Sequence, residues 1–138
     1  MQNNAPLILI VDDEAHILHV LSLKLQNAGY RVITAEDGEE AFDSATRHGP
    51  DVVITDYQMP FLNGLELCIK LKQHPRTSTT PCLMLTARGY SLGQEQITQT
   101  NIAAVISKPF SPREILTRVR ELTGGQDPAC VQEHGLET

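Results

Sequence analysis

The chain has 138 residues, of which 41% are hydrophobic and 20% charged, a composition that suits one domain with a single core. Lys and Arg total 11 and Asp and Glu total 17, which gives a formal net charge of −6. This balance argues against a nucleic-acid groove, because such a groove needs clustered cations to displace counterions from phosphates. No segment has the length of a transmembrane span, and the first residues lack the pattern of a secretory signal, so we expect no membrane contact.

Apolar runs of strand length alternate with segments of helical period along the chain. The predicted strands are Leu7–Val11, Arg31–Ala35, Val52–Thr55, Cys82–Thr86 and Ala103–Ile106, and the predicted helices are Ala15–Ala28, Gly38–His48, Gly64–His74, Ser91–Asn101 and Ser111–Leu122. Continuous apolar strands separated by helices are typical of a parallel sheet covered on both faces, so we predict an α/β fold. Residues 5–123 form the predicted domain, and the Gly-rich, polar residues 124–138 form a flexible tail or linker.

The predicted helices differ in how strongly their sequences mark them. In the first, Ile17, Leu21, Leu25 and Ala28 share one face, and Gly29 supplies a stop. The third presents Leu65, Cys68, Ile69 and Leu71. The last begins with a capping box, Ser111-Pro-Arg-Glu114. In the fourth only Leu92 and Ile97 are strongly apolar, so we expect a weakly anchored, mobile helix.

The chain has three cysteines, Cys68, Cys82 and Cys130. Their odd number and the lack of a Cys-x-x-Cys spacing indicate reduced thiols in a reducing compartment, so we expect a cytoplasmic protein. Cys68 and Cys82 fall in apolar segments and are predicted to be buried small side chains.

Polar side chains stand at the ends of four predicted strands. The first strand ends in Asp12-Asp13-Glu14, the third in Asp56, the fourth in Thr86-Ala87, and the fifth in Ser107-Lys108-Pro109. Ligands of an open parallel sheet bind at the carboxyl ends of its strands, so the topology brings these groups to one rim.

Clustered carboxylates repel one another, and one of them stays protonated unless a cation lies among them. Oxygen ligands favour a hard ion, and few protein ligands with room for water favour Mg²⁺ over Ca²⁺. An ion there could hold phosphoryl oxygens while a carboxylate attacks phosphorus and forms an acyl phosphate. Lys108 would balance the charge of the transferred group, and the Thr86 hydroxyl could donate a hydrogen bond to it.

Each of these residues also has a simpler interpretation. The acids Asp12 to Glu14 suit a helix N-terminus, Asp56 could begin a turn, Thr86 could end a strand, and Lys108 could be a solvated side chain. Their joint occurrence at four strand ends favours a site. His16 and His19 could belong to a transition-metal site with Asp13, but no third nitrogen or sulfur ligand is evident, which favours exposure to solvent or to a partner.

The motifs together resemble the receiver domain of two-component response regulators, of the stand-alone chemotaxis-regulator type. The resemblance runs from Leu7 to Leu122 and is carried by Asp12-Asp13, Asp56 with Met59-Pro60 and Asn63-Gly64, Thr86-Ala87, and Lys108-Pro109-Phe110. The spacings fit as well, with 44 residues from Asp12 to Asp56, 30 to Thr86 and 22 to Lys108.

The resemblance implies a flavodoxin-like, doubly wound sheet of five parallel strands in the order 2-1-3-4-5. It implies that Asp56 is the phosphoacceptor and that Asp13, Asp56 and the backbone carbonyl of Gln58 bind Mg²⁺ directly, with Asp12 helping through water. Thr86 would be the switch hydroxyl and Lys108 the phosphate-binding cation, with a cis Lys108–Pro109 bond.

The resemblance also implies the partners. A histidine kinase or histidine phosphotransfer protein would supply the phosphoryl group, and a downstream protein would bind the face formed by the fourth helix, fifth strand and fifth helix. We expect a monomer or weak homodimer, with no enzyme turnover beyond the domain's own phosphorylation and dephosphorylation. No output domain follows Leu122, so the chain would act through a partner, pass the phosphoryl group on, or be the front of a longer protein.

The sequence departs from the family pattern at Val105, where many receivers carry Tyr or Phe, and at Asn101-Ile102, where a Gly-Ala turn is common. We therefore expect the switch to rearrange residues 86–93 and the fourth helix. Gln58 and Arg88 would flank the phosphoryl group, at positions that tune self-dephosphorylation in the family.

Two other functions stay open at this point. An aspartyl-nucleophile phosphohydrolase would commonly have a second acid two residues after the nucleophile, but Gln58 stands there. A receiver-like scaffold would bind partners without phosphorylation, which Val105 makes worth considering. A flavin or dinucleotide site is disfavoured, because no Gly-rich loop follows the first strand.

Overall fold

The computed structural model describes residues 5–87 and 92–125. Five strands and five helices alternate along them: β1 (Leu7–Val11), α1 (Ala15–Asn27), β2 (Arg31–Ala35), α2 (Gly38–His48), β3 (Val52–Asp56), α3 (Gly64–Gln73), β4 (Cys82–Thr86), α4 (Gln94–Thr98), β5 (Ile102–Ser107) and α5 (Pro112–Leu122). The predicted tail lies outside the described residues except for Gly124 and Gly125. No helix in the described ranges is long and apolar enough to cross a membrane.

The strands form one parallel sheet in the order β2-β1-β3-β4-β5, as the resemblance implied. Every residue of β1, β3 and β4 is buried, because helices cover both faces of the sheet. Alternate residues of each strand point to opposite faces. Ile8 and Ile10 therefore pack with α1 and α5, whereas Leu9 and Val11 pack with α2 and α3.

The inward faces of two helices differ in part from the predicted ones. In α1, Leu18, Leu21 and Leu25 are buried, and Ile17 is only half-buried at the edge of the core. In α3, Leu67 is buried beside Cys68 and Leu71, whereas Leu65 and Ile69 are half-buried. Both segments carry apolar side chains on more than one helical face, so periodicity alone left the choice of face open.

The ends of the elements also differ from the sequence-based bounds. Asp56 is the last residue of β3, as predicted, one residue beyond the apolar run Val52–Thr55. The helix predicted over residues 91–101 is limited to Gln94–Thr98, and none of its side chains is fully buried. Leu92 and Ile97 attach this segment to the core from half-buried positions.

Cys68 and Cys82 are buried free thiols on the α2–α3 side of the sheet, as predicted. A hydrogen bond with Cys82 and burial both raise the pKa of the Cys68 thiol well above its ordinary value. Cys130 lies outside the described residues.

Two glycines bring the loop after β3 close to its neighbours. A Cβ added at Gly64 would lie 2.5 Å from the Asp56 carbonyl oxygen and 2.8 Å from Met84 Sδ. A Cβ at Gly38 would lie 2.8 Å from Leu62 Cβ, so α2 begins directly against this loop. The first glycine thus allows α3 to start immediately beside the end of β3.

We predict that Gly64→Ala lowers the free energy of unfolding by about 1–3 kcal/mol, because the added methyl group meets backbone that cannot rotate away. Gly93→Ala is the matched control, since its Cβ would meet nothing closer than Gln96 Oε1 at 3.5 Å. Urea unfolding followed by circular dichroism measures both. Equal stability of Gly64→Ala and wild type would contradict the close approach.

Candidate functional site

The strand register aligns the polar residues at one edge of the sheet. Val11 pairs with Thr55, so the residues that follow them, Asp12 and Asp56, lie side by side. Thr86 pairs with Ser107, the residue before Lys108. Backbone hydrogen bonds extend this order past the strands, from Tyr57 N to Leu85 O and from Lys108 N to Thr86 O, both 2.8 Å.

Three carboxylates meet at this edge. One oxygen each from Asp12, Asp13 and Asp56 lies within 4.8 Å of the others, close enough to share one cation. Asp12 and Asp56 are buried, with exposed fractions of 0% and 5%, whereas Asp13 is exposed at the mouth. The oxygen-only donor set and the opening toward solvent suit a hard, partly hydrated divalent ion.

Lys108 supplies the positive charge of the cluster. Its Nζ lies 3.0 Å from Asp56 Oδ1 and 3.8 Å from Asp12 Oδ2. Burial alone would lower the pKa of Lys108, but its hydrogen bond to Asp56 and the charges of Asp56 and Asp12 raise it overall. The amine is therefore a firmly protonated cation. The Lys108–Pro109 bond is cis, as the resemblance implied.

A single amine does not neutralise the cluster. Burial raises the pKa of Asp12 to about 6, although the Glu14 amide donates a 2.9 Å hydrogen bond to its Oδ1. Burial also raises the pKa of Asp56, despite the hydrogen bond from Lys108.

Two buried oxygens of the site, Asp12 Oδ2 and Thr86 Oγ1, have no hydrogen-bond partner among the described residues. Buried polar atoms are normally paired, so these oxygens are available to an incoming group.

The loop after Asp56 has an ordered base and an exposed tip. Asn63 and Glu66 form a reciprocal capping box at the start of α3, with hydrogen bonds of 2.8 and 2.9 Å. Leu62 N donates to Pro60 O at 2.8 Å, closing a three-residue γ-turn around Phe61, whose φ is 71°. The Phe61 side chain is 91% exposed.

An apolar groove adjoins the site on its other side. It has a volume of about 570 Å³ and is bounded by α1, the residue after β4 and the turn into α5. Its lining residues are His16, Ile17, Val20, Ala87, Lys108, Pro109, Phe110 and Pro112. Because Lys108 belongs to both the groove and the acidic cluster, the two are continuous.

Four further predicted residues lie in the described part of the chain. Gln58 is exposed in the loop after Asp56. His16 and His19 are exposed on α1, and neither belongs to the possible metal-binding group found in the described part of the chain. Val105 is half-buried on the α2–α3 side of the sheet. Arg88 lies outside the described residues.

Sequence reasoning missed the groove and the turn at Phe61. The Pro109-Phe110 and Pro112 side chains were a signal for an apolar wall, but nothing in the sequence placed them against α1. The turn had a weaker signal, since Pro60 and Asn63-Gly64 indicate a tight loop but not which residue takes the positive φ.

These features define a flavodoxin-like α/β domain with an acidic site at the carboxyl ends of its strands. Residues 8–120 match the family "Response regulator receiver domain", and the chain belongs to that family. Phosphorylation on an aspartate is typical of these domains, which generally bind Mg²⁺ in an acidic pocket and interact with histidine kinases and downstream effectors.

Among curated proteins, the chain is 40% identical over 115 residues to the alkaline phosphatase synthesis transcriptional regulatory protein PhoP of Bacillus subtilis, covering 83% of this chain and 47% of that protein. The chain spans about half the length of the curated relatives it matches.

Two solved structures extend the comparison. The chemotaxis response regulator CheY4 of Vibrio cholerae has a TM-score of 0.79 at 32% identity, covering 86% of this chain and 99% of that one. The receiver domain of a sensor histidine kinase from Pseudomonas aeruginosa, solved with a magnesium ion coordinated in its active-site cleft, has a TM-score of 0.77 at 27% identity, covering 87% and 98%.

The raised pKa of Asp12 predicts how stability depends on pH in metal-free protein. Because the pKa rises from 3.8 to about 6 on folding, the folded state binds more protons between these values, and stability is lost as pH rises through them. We expect Asp12→Asn to become more stable relative to wild type across this window, since its amide keeps the Oδ1 acceptor and carries no charge.

Thermal unfolding in a chelator at several pH values measures this difference. Glu39→Gln, at an exposed position in α2, is the charge-matched control. Parallel curves for wild type and Asp12→Asn would contradict the prediction.

Proposed function

We propose that Asp56 accepts a phosphoryl group from a phosphorylated histidine of a kinase or phosphotransfer protein, and that the modification switches partner binding. The observation that carries this proposal is the buried Asp56 carboxylate, which lies 3.0 Å from the Lys108 amine and shares a cluster with Asp12 and Asp13. An ion pair that only stabilised the fold would need one carboxylate for the Lys108 amine, whereas this site contains three.

The proposed reaction requires Asp56 to be ionised. A carboxylate oxygen of Asp56 attacks phosphorus, an O–P bond forms, and the N–P bond to the donor histidine breaks. The electron pair of that bond goes to the imidazole nitrogen, which takes up a proton from solvent. Lys108 then faces the phosphoryl oxygens with its charge and hydrogen bonds. Hydrolysis of the acyl phosphate restores the carboxylate and releases inorganic phosphate.

We propose Mg²⁺ as the cofactor. The carboxylates of Asp13 and Asp56 and the Gln58 backbone carbonyl would hold it directly, and Asp12 would contribute through water. The fit is supported by the all-oxygen donor set and by the buried Asp12 Oδ2, which accepts no hydrogen bond from the described residues. When bound, the ion supplies positive charge that stabilises the phosphoryl oxygens during transfer.

The switch is proposed to begin at Thr86. Its buried hydroxyl has no partner in the described residues, so phosphoryl oxygens on Asp56 would offer it an acceptor. Val105 lies in the same packed cluster as Leu92 and Ile97, which attach α4 to the sheet. An inward movement of Thr86 would shift residues 86–93 and α4, changing the face formed by α4, β5 and α5.

The proposed setting is the cytoplasm, which suits the buried free thiols Cys68 and Cys82. We propose a monomer or weak homodimer that contacts other proteins and not nucleic acid directly. The chain would have no catalytic turnover beyond its own phosphorylation and dephosphorylation, because the second acid of a phosphohydrolase is replaced by Gln58. The relatives are transcriptional regulators by name, and that role concerns those longer proteins.

We predict that acetyl phosphate with Mg²⁺ adds one acid-stable, hydroxylamine-labile phosphoryl group to the wild-type chain, and that Asp56→Asn accepts none. Intact-mass spectrometry measures the modification. Asp43→Asn, an exposed acid on α2, is the matched control and should be modified as wild type is.

Two other outcomes would support a different function for the chain. A wild-type chain that gains no phosphoryl group from acetyl phosphate or from phosphorylated kinases would be a scaffold. Sustained hydrolysis of a small phosphomonoester would indicate a phosphohydrolase.

We predict that Thr86→Ala and Val105→Ala both accept the phosphoryl group, because neither side chain binds the acids. Thr86→Ala should lose the phosphorylation-dependent change in hydrogen exchange of β5 and α4 amides, and Val105→Ala should keep it. Loss of phosphorylation in Val105→Ala would contradict our assignment of this residue to the packing around α4.

A further inference from the structure

The loop after the acceptor carries an aromatic side chain that the proposed reaction does not use. Phe61 is 91% exposed, and among the described residues the other exposed large hydrophobic is Leu23, at 47%. Single exposed apolar side chains are common on proteins and carry no argument alone. The backbone of Phe61 supplies a second observation.

Phe61 has a φ of 71°, a region that bulky residues avoid. The hydrogen bond from Leu62 N to Pro60 O makes it the central residue of a γ-turn with positive φ, a rare and strained conformation. Glycine or asparagine would adopt this conformation with less strain. Neither burial nor an easy backbone conformation therefore accounts for a phenylalanine here.

The residues around Phe61 hold the turn firmly. Met59 and Leu62 pack into the core on the α2–α3 side, with Leu62 against Gly38. Asn63 is fixed by the capping box of α3. The phenyl ring thus projects from an anchored loop, so an interaction with it would cost little ordering of the chain.

The position of the Phe61 loop indicates which kind of protein could contact the phenyl ring. Asp56 is only 5% exposed, so a protein donor has to press against the rim of the site to bring its phosphorus within bonding distance. The apolar groove borders the rim on the α1–α5 side, and the Phe61 loop leaves the rim on the α2–α3 side. A donor that covers Asp56 from the groove therefore meets the Phe61 loop across the site.

We propose that Phe61 is an apolar anchor for the protein that donates the phosphoryl group, and so a specificity-determining residue for phosphotransfer. The inference rests on the proposed function of Asp56. Aromatic side chains are frequent among the few residues that dominate protein interfaces. The strained backbone fits a side chain retained for binding, because such outliers concentrate at functional sites.

The test compares wild type with Phe61→Asn and Phe61→Tyr. Asparagine removes the ring and tolerates the positive φ, so this variant should fold with a melting temperature at or above that of wild type. Tyrosine keeps the ring and serves as the conservative variant. The protein probe is the autophosphorylated histidine kinase of the source organism that transfers fastest to wild type, and the small-molecule probe is acetyl phosphate with Mg²⁺.

For the kinase probe, we expect Phe61→Asn to raise KM for the acceptor about tenfold with kcat within about twofold of wild type, the effect of losing one interface anchor. Phe61→Tyr should stay close to wild type. Phosphorylation by acetyl phosphate should be the same in all three proteins, because the ring does not touch the reacting groups.

Several results would overturn the proposal. An unchanged KM in Phe61→Asn would show that the donor does not contact the ring, and an equal loss with acetyl phosphate would show that the ring shapes the acidic site. A dimer in sedimentation experiments that Phe61→Asn dissociates would assign the ring to a second copy of the chain.

The failure of the proposed function looks different from the failure of this inference. A wild-type chain that neither acetyl phosphate nor any phosphorylated histidine protein can modify would remove both. A chain that a phosphorylated histidine protein modifies on Asp56, with the same KM for Phe61→Asn as for wild type, would remove only the role of Phe61.

Discussion

The structure depends on holding like charges together where the parallel strands end. Asp12 and Asp56 lie side by side because β1 and β3 pair in register, and both carboxylates are almost fully removed from solvent. Lys108 offsets part of the repulsion, yet the pKa values of both acids stay raised. The site is therefore electrostatically unfavourable by itself, and a divalent cation bound among the three carboxylates would relieve the repulsion.

The rest of the fold supplies the rigidity that this arrangement needs. Three central strands buried on both faces fix the strand ends, and backbone hydrogen bonds continue that order beyond them to Tyr57 and Lys108. Gly64 lets α3 begin directly against Asp56, so this residue is held from both sides. The free energy gained by burying the apolar core keeps the acids from moving apart, because hydrophobic burial is the largest favourable term in folding.

Most of the architecture could be predicted because it follows from apolar periodicity, and three strands have the predicted bounds. The juxtaposition of the acids and Lys108 could also be predicted, since it depends only on the order of parallel strands. The burial of Leu18 and Leu67 could not, because those helices offer more than one apolar face. The groove and the γ-turn at Phe61 depend on contacts between distant segments, which a local pattern does not contain.

The weak packing of α4 against the core affects how readily a receiver domain can change its binding partners. None of its side chains is fully buried, and within the described part of the chain half-buried Leu92 and Ile97 pack it against the core. Substitutions on this helix therefore cost little folding free energy, whereas substitutions near the acids meet packed backbone. New binding partners can be acquired through α4 while the proposed phosphoryl chemistry is left intact, so one chemical centre can serve many different signalling routes.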